Sequence, residues 1–248
     1  MGSSIEKIMR YISCVSDFEG DVEFEGHVQH FIRQPAINIS QSLWHKTYCL
    51  CCGECCKNFN TVFSAKEYEE VQRRAEAGSE PHKDYCSLAV ELPLKVNGVD
   101  YHYVEVPPMS PKDPGALMNK RGTAIHCRYI DPQPDGKKFC RIHEYRSVSC
   151  GFPHLELRCT QGHTPSLLHV QYGRNWALGC PVDLKLPEYD QETYENDVYW
   201  LTRLYEFAES YNIPTMLPQI LEIFSKVDVS NPPTENIRLE NKKHLLKF

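Results

Sequence analysis

Short runs of alternating apolar and polar residues in the first forty positions predict β-strands. The stretches DVEFEGHVQHFI (21–32) and AINIS (36–40) have the two-residue period of half-buried strands, although the pattern is weak. A clearer signal follows where Asn97 and Gly98 separate two runs that are rich in β-branched and aromatic residues. Asn-Gly favours the tight turn of a two-residue hairpin, so this part of the chain predicts two paired antiparallel strands.

Capping and stop signals predict a helix in FSAKEYEEVQRRAEAG (63–78). Ser64 stands at the N-cap position, and Glu67 lies three residues later, where a capping box requires an acidic or amide side chain. Gly78 follows the last periodic residue, which is the usual position of a helix stop. The sequence therefore predicts both ends of this helix.

A second helical part is predicted from about Tyr189 onward. Asn212 and Pro214 interrupt its period, and MLPQILEIFSKV (216–227) supplies a shorter helix after them. We interpret the broad apolar stripe before the interruption as core packing. The stripe consists of Trp200, Leu201, Leu204, Tyr205, Phe207, Ala208 and Tyr211. The last twenty residues, rich in Asn, Pro and Lys, are predicted to form a partly ordered tail.

Composition and charge are those of a soluble globular protein. The chain has 248 residues, 41% of them apolar and 24% charged, with a net charge of −6. This negative balance does not favour a nucleic-acid partner or an anionic membrane surface. No apolar stretch approaches the roughly 20 residues that span a bilayer, and the first residues lack the apolar core of a signal peptide. We therefore expect a cytoplasmic protein with no nucleic-acid and no membrane partner.

Five of the twelve cysteines lie within the eight residues CLCCGECC (49–56). Four of them form the pattern CxxCxxCC, in which tight turns bring sulfur atoms to one side of a loop. Thiolates this close repel one another unless a cation lies between them, and thiols stay reduced in the cytoplasm. We therefore predict that this cluster binds a metal through Cys49, Cys52, Cys55 and Cys56.

Further metal ligands are expected downstream, because one loop cannot surround a metal from all sides. Cys127 and Cys140 flank DPQPDGKK (131–138), a stretch typical of a turn, and are expected at neighbouring ends of a hairpin. Cys150 and Cys180 complete the predicted set of eight ligands.

The order of these cysteines resembles the CxxCxxCC family of zinc- or iron-chelating proteins, which includes the flagellin lysine N-methylases. The first half of the family pattern is complete at 49–56, and the resemblance extends over about residues 49–180. The second half is carried by Cys127, Cys140, Ile142, His143, Glu144, Arg146, Cys150, Phe152 and Pro153. Ser147 and Gly151 depart from the pattern, since the family usually has Pro and Arg there, and the end of the pattern is one residue shorter.

The resemblance implies metal binding, and it includes two charged residues within the motif. Arg146 would offset the negative charge of a thiolate-ligated cluster, and Glu144 would act with it in holding the cofactor. The alternative for this pair is an ordinary surface ion pair. His126 and His143 lie near cysteines in the sequence and are further ligand candidates, although a histidine with no metal is the commoner case for each.

Seven or eight thiolates exceed what one metal ion can use, and two arrangements fit. One is an iron–sulfur cluster, expected as [4Fe–4S], with a second cluster or metal on the remaining cysteines. The alternative is a pair of tetrahedral zinc sites. The adjacent Cys55 and Cys56, and the lack of a second CxxC downstream, favour iron–sulfur over a zinc ribbon.

Three functions fit such a chain. We expect an iron–sulfur protein with redox or small-substrate enzymatic activity, whose small-molecule or protein substrate the sequence does not indicate. The alternatives are a zinc-binding structural or interaction protein and, by the family resemblance, an S-adenosylmethionine-dependent lysine N-methyltransferase. The absence of any G-x-G from the sequence disfavours a conventional nucleotide site. The segment VQYGRNWALGCP (170–181) is a candidate pocket wall.

These patterns predict an α+β fold with an irregular cysteine-rich, metal-bearing centre, small antiparallel strands and a helical C-terminal part. Residues 1–188 are expected to form the metal-binding domain, 189–226 a helical extension packed on it, and 227–248 the tail. Further short strands are predicted in AIHCRYI (124–130), HLELRCT (154–160) and LLHVQYGRNWAL (167–178).

Overall fold

The fold of this computed structural model is α+β, as predicted. Four helices accompany an antiparallel sheet of five strands, a mixed sheet of four strands and three two-stranded ladders within the described residues. The residues that the structure describes are 4–44, 46–48, 56, 60–77, 86–113, 116, 126–151, 155–158, 165–169, 174–175, 180–181, 183–185 and 189–242.

The helices confirm most of the helical predictions. Their bounds are α1 Ser4–Cys14, α2 Ala65–Glu76, α3 Gln191–Ser210 and α4 Leu217–Phe224. The predicted capping box begins α2: the Ser64 hydroxyl accepts from the Glu67 N–H, and the Glu67 carboxylate accepts from the Ser64 N–H. Asp190 caps α3 in a similar way by accepting from the Thr193 N–H. None of these four helices has the length and apolar character needed to cross a membrane.

Helix α1 is an element that the patterns above do not predict. Its residues Ile5, Ile8, Met9 and Ile12 lie on one face at helical spacing and are fully buried. The carbonyl just after the helix, at Val15, accepts a 2.7 Å hydrogen bond from the N–H of the residue that precedes α4. The first helix is therefore packed against the C-terminal helices.

Fifteen strands are present in the described residues. They are β1 Gly20–Phe24, β2 His27–Phe31, β3 Ala36–Ile39, β4 Lys46–Tyr48, β5 Thr61–Ser64, β6 Val90–Val96, β7 Val99–Val106, β8 Ile130–Pro132, β9 Lys138–Cys140, β10 Leu155–Arg158, β11 Ser166–His169, β12 Arg174–Asn175, β13 Cys180–Pro181, β14 Asp183–Lys185 and β15 Ile237–Glu240.

The five-stranded sheet has the order β2-β1-β6-β7-β5 and is antiparallel throughout. The predicted hairpin joins β6 to β7, and both turn residues have positive φ, 47° at Asn97 and 80° at Gly98. The Asn97 side chain also accepts a 3.0 Å hydrogen bond from the Asp21 N–H, which joins this turn to β1. The weak alternation in 21–32 corresponds to β1 and β2.

The four-stranded sheet, in the order β10-β11-β3-β15, includes the segment that the sequence assigns to a tail. Strand β15 pairs antiparallel with β3, which pairs on its other side with β11 in parallel. Asn241, directly after β15, is buried, and its amide donates to the Asp17 carboxylate at 2.9 Å and to the Gln34 carbonyl at 3.1 Å. This part of the predicted tail is therefore an integral strand of the fold.

Two hydrophobic clusters lie beneath these elements. The larger one joins α1 to the inner face of the five-stranded sheet and to α3 and α4, where Trp200, Leu204 and Phe207 are buried as the predicted stripe requires. The smaller one is formed by Phe63, Tyr68 and further residues of α2, β7 and the β8–β9 region. Because Cys127, Cys140 and Cys56 contact the smaller cluster, it supports the segment that carries the predicted ligands.

The position of the Trp200 ring explains why residue 151 is a glycine. A Cβ atom built on this residue would lie 1.9 Å from the Trp200 ring, which is far inside van der Waals contact.

We expect Gly151→Ala to lower the free energy of unfolding by about 1–3 kcal/mol, because a buried indole has to move. Urea unfolding measures this. The same change made with Trp200→Leu should cost less, and an equal cost in both backgrounds would contradict the steric explanation.

Candidate metal centre

The eight predicted ligands divide into two groups. Cys49, Cys52 and Cys55 lie outside the described residues, and for Cys180 the structure describes only the backbone, at the start of β13. The side chains of the other four are described. They are Cys56, Cys127, Cys140 and Cys150.

Cys127 joins the two halves of the cysteine pattern. Its N–H donates to the carbonyl oxygen of Cys56 at 2.7 Å, although 70 intervening residues separate the two in sequence. The Cys127 thiol is buried, 3.3 Å from the Thr61 hydroxyl, and it accepts a hydrogen bond from the Tyr129 N–H at 3.4 Å. The backbone of Cys56, at the end of CLCCGECC, therefore lies next to that of Cys127.

Cys140 ends β9, and the predicted turn at 131–138 forms the hairpin of β8 and β9. Ile130 pairs with Cys140 across the hairpin, and the Arg141 N–H donates to the Tyr129 carbonyl at 2.8 Å. Because Tyr129 lies two residues after Cys127, these contacts keep Cys140 near Cys127.

The three downstream thiols share one electrostatic environment. Burial, and after it the neighbouring Cys150 and Cys127 thiols, raises the pKa of Cys140 to about 12, against smaller opposing effects of the Ile142 N–H and Arg146. Ionising several of these thiols together is therefore unfavourable. A bound cation would remove that penalty, and it is the usual partner of clustered thiolates.

The turn that carries Cys150 is held by two serines. The hydroxyls of Ser147 and Ser149 are 2.5 Å apart and lie 3.6 Å and 3.8 Å from the Cys150 sulfur. Ser149 also accepts a 3.4 Å hydrogen bond from the Val62 N–H of β5. The serine at position 147, where the family usually has proline, thus supplies a hydroxyl beside a candidate ligand.

Glu67 holds the same turn from the opposite side. Its carboxylate accepts from the Val148 N–H at 3.0 Å and from Arg203 of α3 at 2.7 Å, besides its capping bond to Ser64. Burial raises the pKa of Glu67, whereas Arg203 and the backbone donors act in the opposite direction. One buried carboxylate therefore connects the start of α2, the Cys150 turn and α3.

Arg146 and Glu144 have different surroundings. The Arg146 guanidinium lies 4.6 Å from the centre of the Trp200 ring, and its charge acts on the Cys140 thiol. Glu144 is 85% exposed, and its carboxylate is 3.9 Å from Arg74. The alternative given by the sequence is a surface ion pair between Glu144 and Arg146. In the structure, the carboxylate of Glu144 instead lies near the guanidinium of Arg74.

The two histidines near these cysteines are also described. His126 is buried, and its Nδ1 lies 3.0 Å from the Cys127 carbonyl oxygen. Burial and then Arg146 lower the pKa of His143, whereas Glu144 acts in the opposite direction.

Cys14 and Cys86 lie outside the family pattern. Cys14 is fully buried at the end of α1 and is disulfide-bonded. Cys86 is half-buried, and its carbonyl accepts from the Tyr68 hydroxyl at 3.2 Å.

The donor chemistry fits a thiophilic metal, since thiolates are the common ligands of structural zinc and of iron–sulfur clusters. In the part of the chain that the structure describes, no three His, Cys, Asp or Glu side chains are close enough together to hold a metal ion. The described thiols can therefore supply only part of a ligand set. The remaining predicted ligands, Cys49, Cys52 and Cys55, are outside that part.

A surface cavity of about 480 Å³ lies beside Cys140. Its wall is formed by the last turn of α2, at Arg74 and Ala77, and by the segment after β9, with Arg141, His143, Glu144 and Tyr145. The side chains of the predicted pocket wall at 170–181 lie outside the described residues.

No family model, curated protein or solved structure matches this chain. The resemblance to the CxxCxxCC family therefore remains a prediction that rests on the cysteine pattern.

Three functional features were not predicted from the sequence: the Glu67 link to the cysteine turn, the serine contacts of Cys150 and the cavity beside Cys140. Glu67 and Val148 are far apart in sequence, so no local pattern indicates their contact. A sequence signal does exist for the cavity, because Arg141 follows a predicted ligand directly and Arg74 lies in the last turn of a predicted helix.

Proposed function

We propose that this protein binds a metal centre through cysteine thiolates and that the centre is an iron–sulfur cluster. The candidate ligands are the eight predicted cysteines: Cys49, Cys52, Cys55, Cys56, Cys127, Cys140, Cys150 and Cys180. The observation that carries the proposal is the 2.7 Å hydrogen bond from Cys127 to Cys56, because it brings the two halves of the cysteine pattern together. The electrostatic coupling of Cys140 to Cys150 and Cys127 supports it.

The roles of the chain's own residues follow from their contacts. The Tyr129 N–H donates to the Cys127 sulfur, and such bonds stabilise a thiolate. Arg146 supplies positive charge near Cys140, where a thiolate-ligated cluster would be anionic. The bound cluster would supply electron transfer or a site that polarises a small substrate. We propose redox or small-substrate enzymatic activity on this basis.

Metal analysis tests the proposal. We expect protein purified without oxygen to be brown, with a broad visible absorption band and several irons and matching sulfides in each chain. A colourless protein with one or two zinc ions would instead support a structural zinc protein. The metal would then hold together the cysteine-bearing segments that pack on the small cluster around Phe63. Purified protein with neither metal, even after anaerobic reconstitution with iron and sulfide or with zinc, would contradict the proposal.

A further inference from the structure

The cavity beside Cys140 has the size of a small-ligand site. Its volume of about 480 Å³ falls within the roughly 300–1,000 Å³ that is usual for such sites. Cys140, a candidate metal ligand, forms part of its wall. A molecule bound in this cavity would lie next to the candidate metal centre.

Arg74 presents an oriented guanidinium to the cavity. Its Nε donates to the Glu70 carboxylate at 2.6 Å, and its guanidinium carbon lies 4.1 Å from the centre of the Tyr145 ring. Both contacts fix the plane of the group before any ligand arrives. Its Nη1 is 3.9 Å from the Glu144 carboxylate, which is beyond hydrogen-bonding distance. The outer edge of Arg74 therefore has only a weak, solvent-exposed partner.

Arg141 adds a second guanidinium to the wall. Its Nη2 donates to the Asp131 carboxylate at 3.1 Å, and Asp131 does not line the cavity. Among the described residues, the lining thus contains two guanidiniums and one carboxylate, that of Glu144. A cationic ligand such as a lysine side chain would meet both guanidiniums, whereas an anionic ligand would meet one exposed carboxylate that can turn away.

We propose that this cavity binds a small organic anion through its carboxylate or phosphoryl oxygens, with Arg74 as the main anchor and Arg141 as the second. Planar guanidinium groups bind both kinds of oxyanion in a bidentate manner. The anion takes the place of Glu144 at the outer edge of Arg74. That this anion is the substrate of the metal centre rests on the proposed function, whereas the anion site itself does not.

The test is calorimetric titration of the 248-residue chain, purified without oxygen, with succinate and, separately, with inorganic phosphate. Arg74→Gln should weaken binding about tenfold or more, since a charged hydrogen-bonding partner is lost. Glu144→Gln should tighten binding by about two- to fivefold, since a competing exposed carboxylate is removed. The matched control is Arg73→Gln, because Arg73 lies on the same helix and pairs with the same Glu70 but does not line the cavity.

The outcomes distinguish a carboxylate ligand from a phosphoryl ligand. They also distinguish failure of the anion site from failure of the proposed metal centre. Binding of succinate alone assigns a carboxylate ligand, and binding of phosphate alone assigns a phosphoryl ligand. If neither probe binds at millimolar concentration, or if Arg73→Gln weakens binding as much as Arg74→Gln, the anion site is wrong. Metal content is measured on the same samples. Arg74-dependent binding without metal would overturn the proposed function alone, and full metal content without anion binding would overturn this site alone.

Discussion

Replacing Glu67 with alanine should lower the free energy of unfolding by about 3–5 kcal/mol, which is the usual cost of removing one partner of a buried ion pair. The change leaves the Val148 and Ser64 N–H groups without their acceptor, and it removes the 2.7 Å partner of Arg203, which keeps only the more exposed Glu206 carboxylate at 3.0 Å among the described residues. Unpaired buried donors carry a full desolvation penalty. Urea unfolding followed by circular dichroism measures the loss.

Two further variants make this result specific. Glu67→Gln keeps the size of the side chain but replaces one acceptor oxygen by a donor, so it should also destabilise the protein, by about 1–3 kcal/mol. Glu69→Ala is the matched control, because Glu69 lies two residues away on the exposed face of α2 and should change stability by less than about 0.5 kcal/mol. Equal effects of Glu67→Ala and Glu69→Ala would contradict the assignment of Glu67 as the buried connection.

Replacing Cys140 or Cys55 with serine should remove metal and stability together. Metal binding and folding are coupled where ligands come from separate segments, and the free energy of binding reaches on the order of 10 kcal/mol in small zinc domains. The hydrophobic clusters here remain after ligand loss, so we expect each variant to fold with lower stability and reduced metal content. Metal per chain and the urea midpoint are measured on the same anaerobic preparations.

Cys86→Ser is the control for these two variants. Cys86 also contacts the small cluster around Phe63 and is half-buried, but it lies outside the family pattern. It should therefore keep the wild-type metal content. Full metal content in both Cys55→Ser and Cys140→Ser would remove the ligand assignment, whatever the effect on stability.

Local signals account for the parts of the fold that the sequence predicts. Asn97-Gly98 and the Ser64–Glu67 capping box act over a few residues, so their consequences can be read directly from the chain. Helix α1 also carries a local signal, which is the helical spacing of its four buried apolar residues. This signal is short, and weak strand patterns follow it directly in the sequence. Strand β15 carries none, because its structure depends on pairing with β3.

The candidate site likewise has features that local sequence signals predict and features that depend on contacts between distant residues. The hairpin that ends at Cys140 is predicted by the turn residues between Cys127 and Cys140, and the structure confirms that hairpin. The Glu67 contact with the Cys150 turn and the position of Trp200 over Gly151 depend on packing between distant elements. Spacing along the chain predicts local elements such as this hairpin. The side chains that pack against those elements from distant parts of the chain are known only from the folded structure.

The pairing of β3 with β11 and β15 also sets an order of assembly during synthesis. β3 leaves the ribosome early, but its neighbours are supplied later, β15 last of all. The β8–β9 hairpin and the Cys150 turn, within 126–151, are released before either of those neighbours. The candidate ligands of this region are therefore synthesised while the four-stranded sheet is still incomplete.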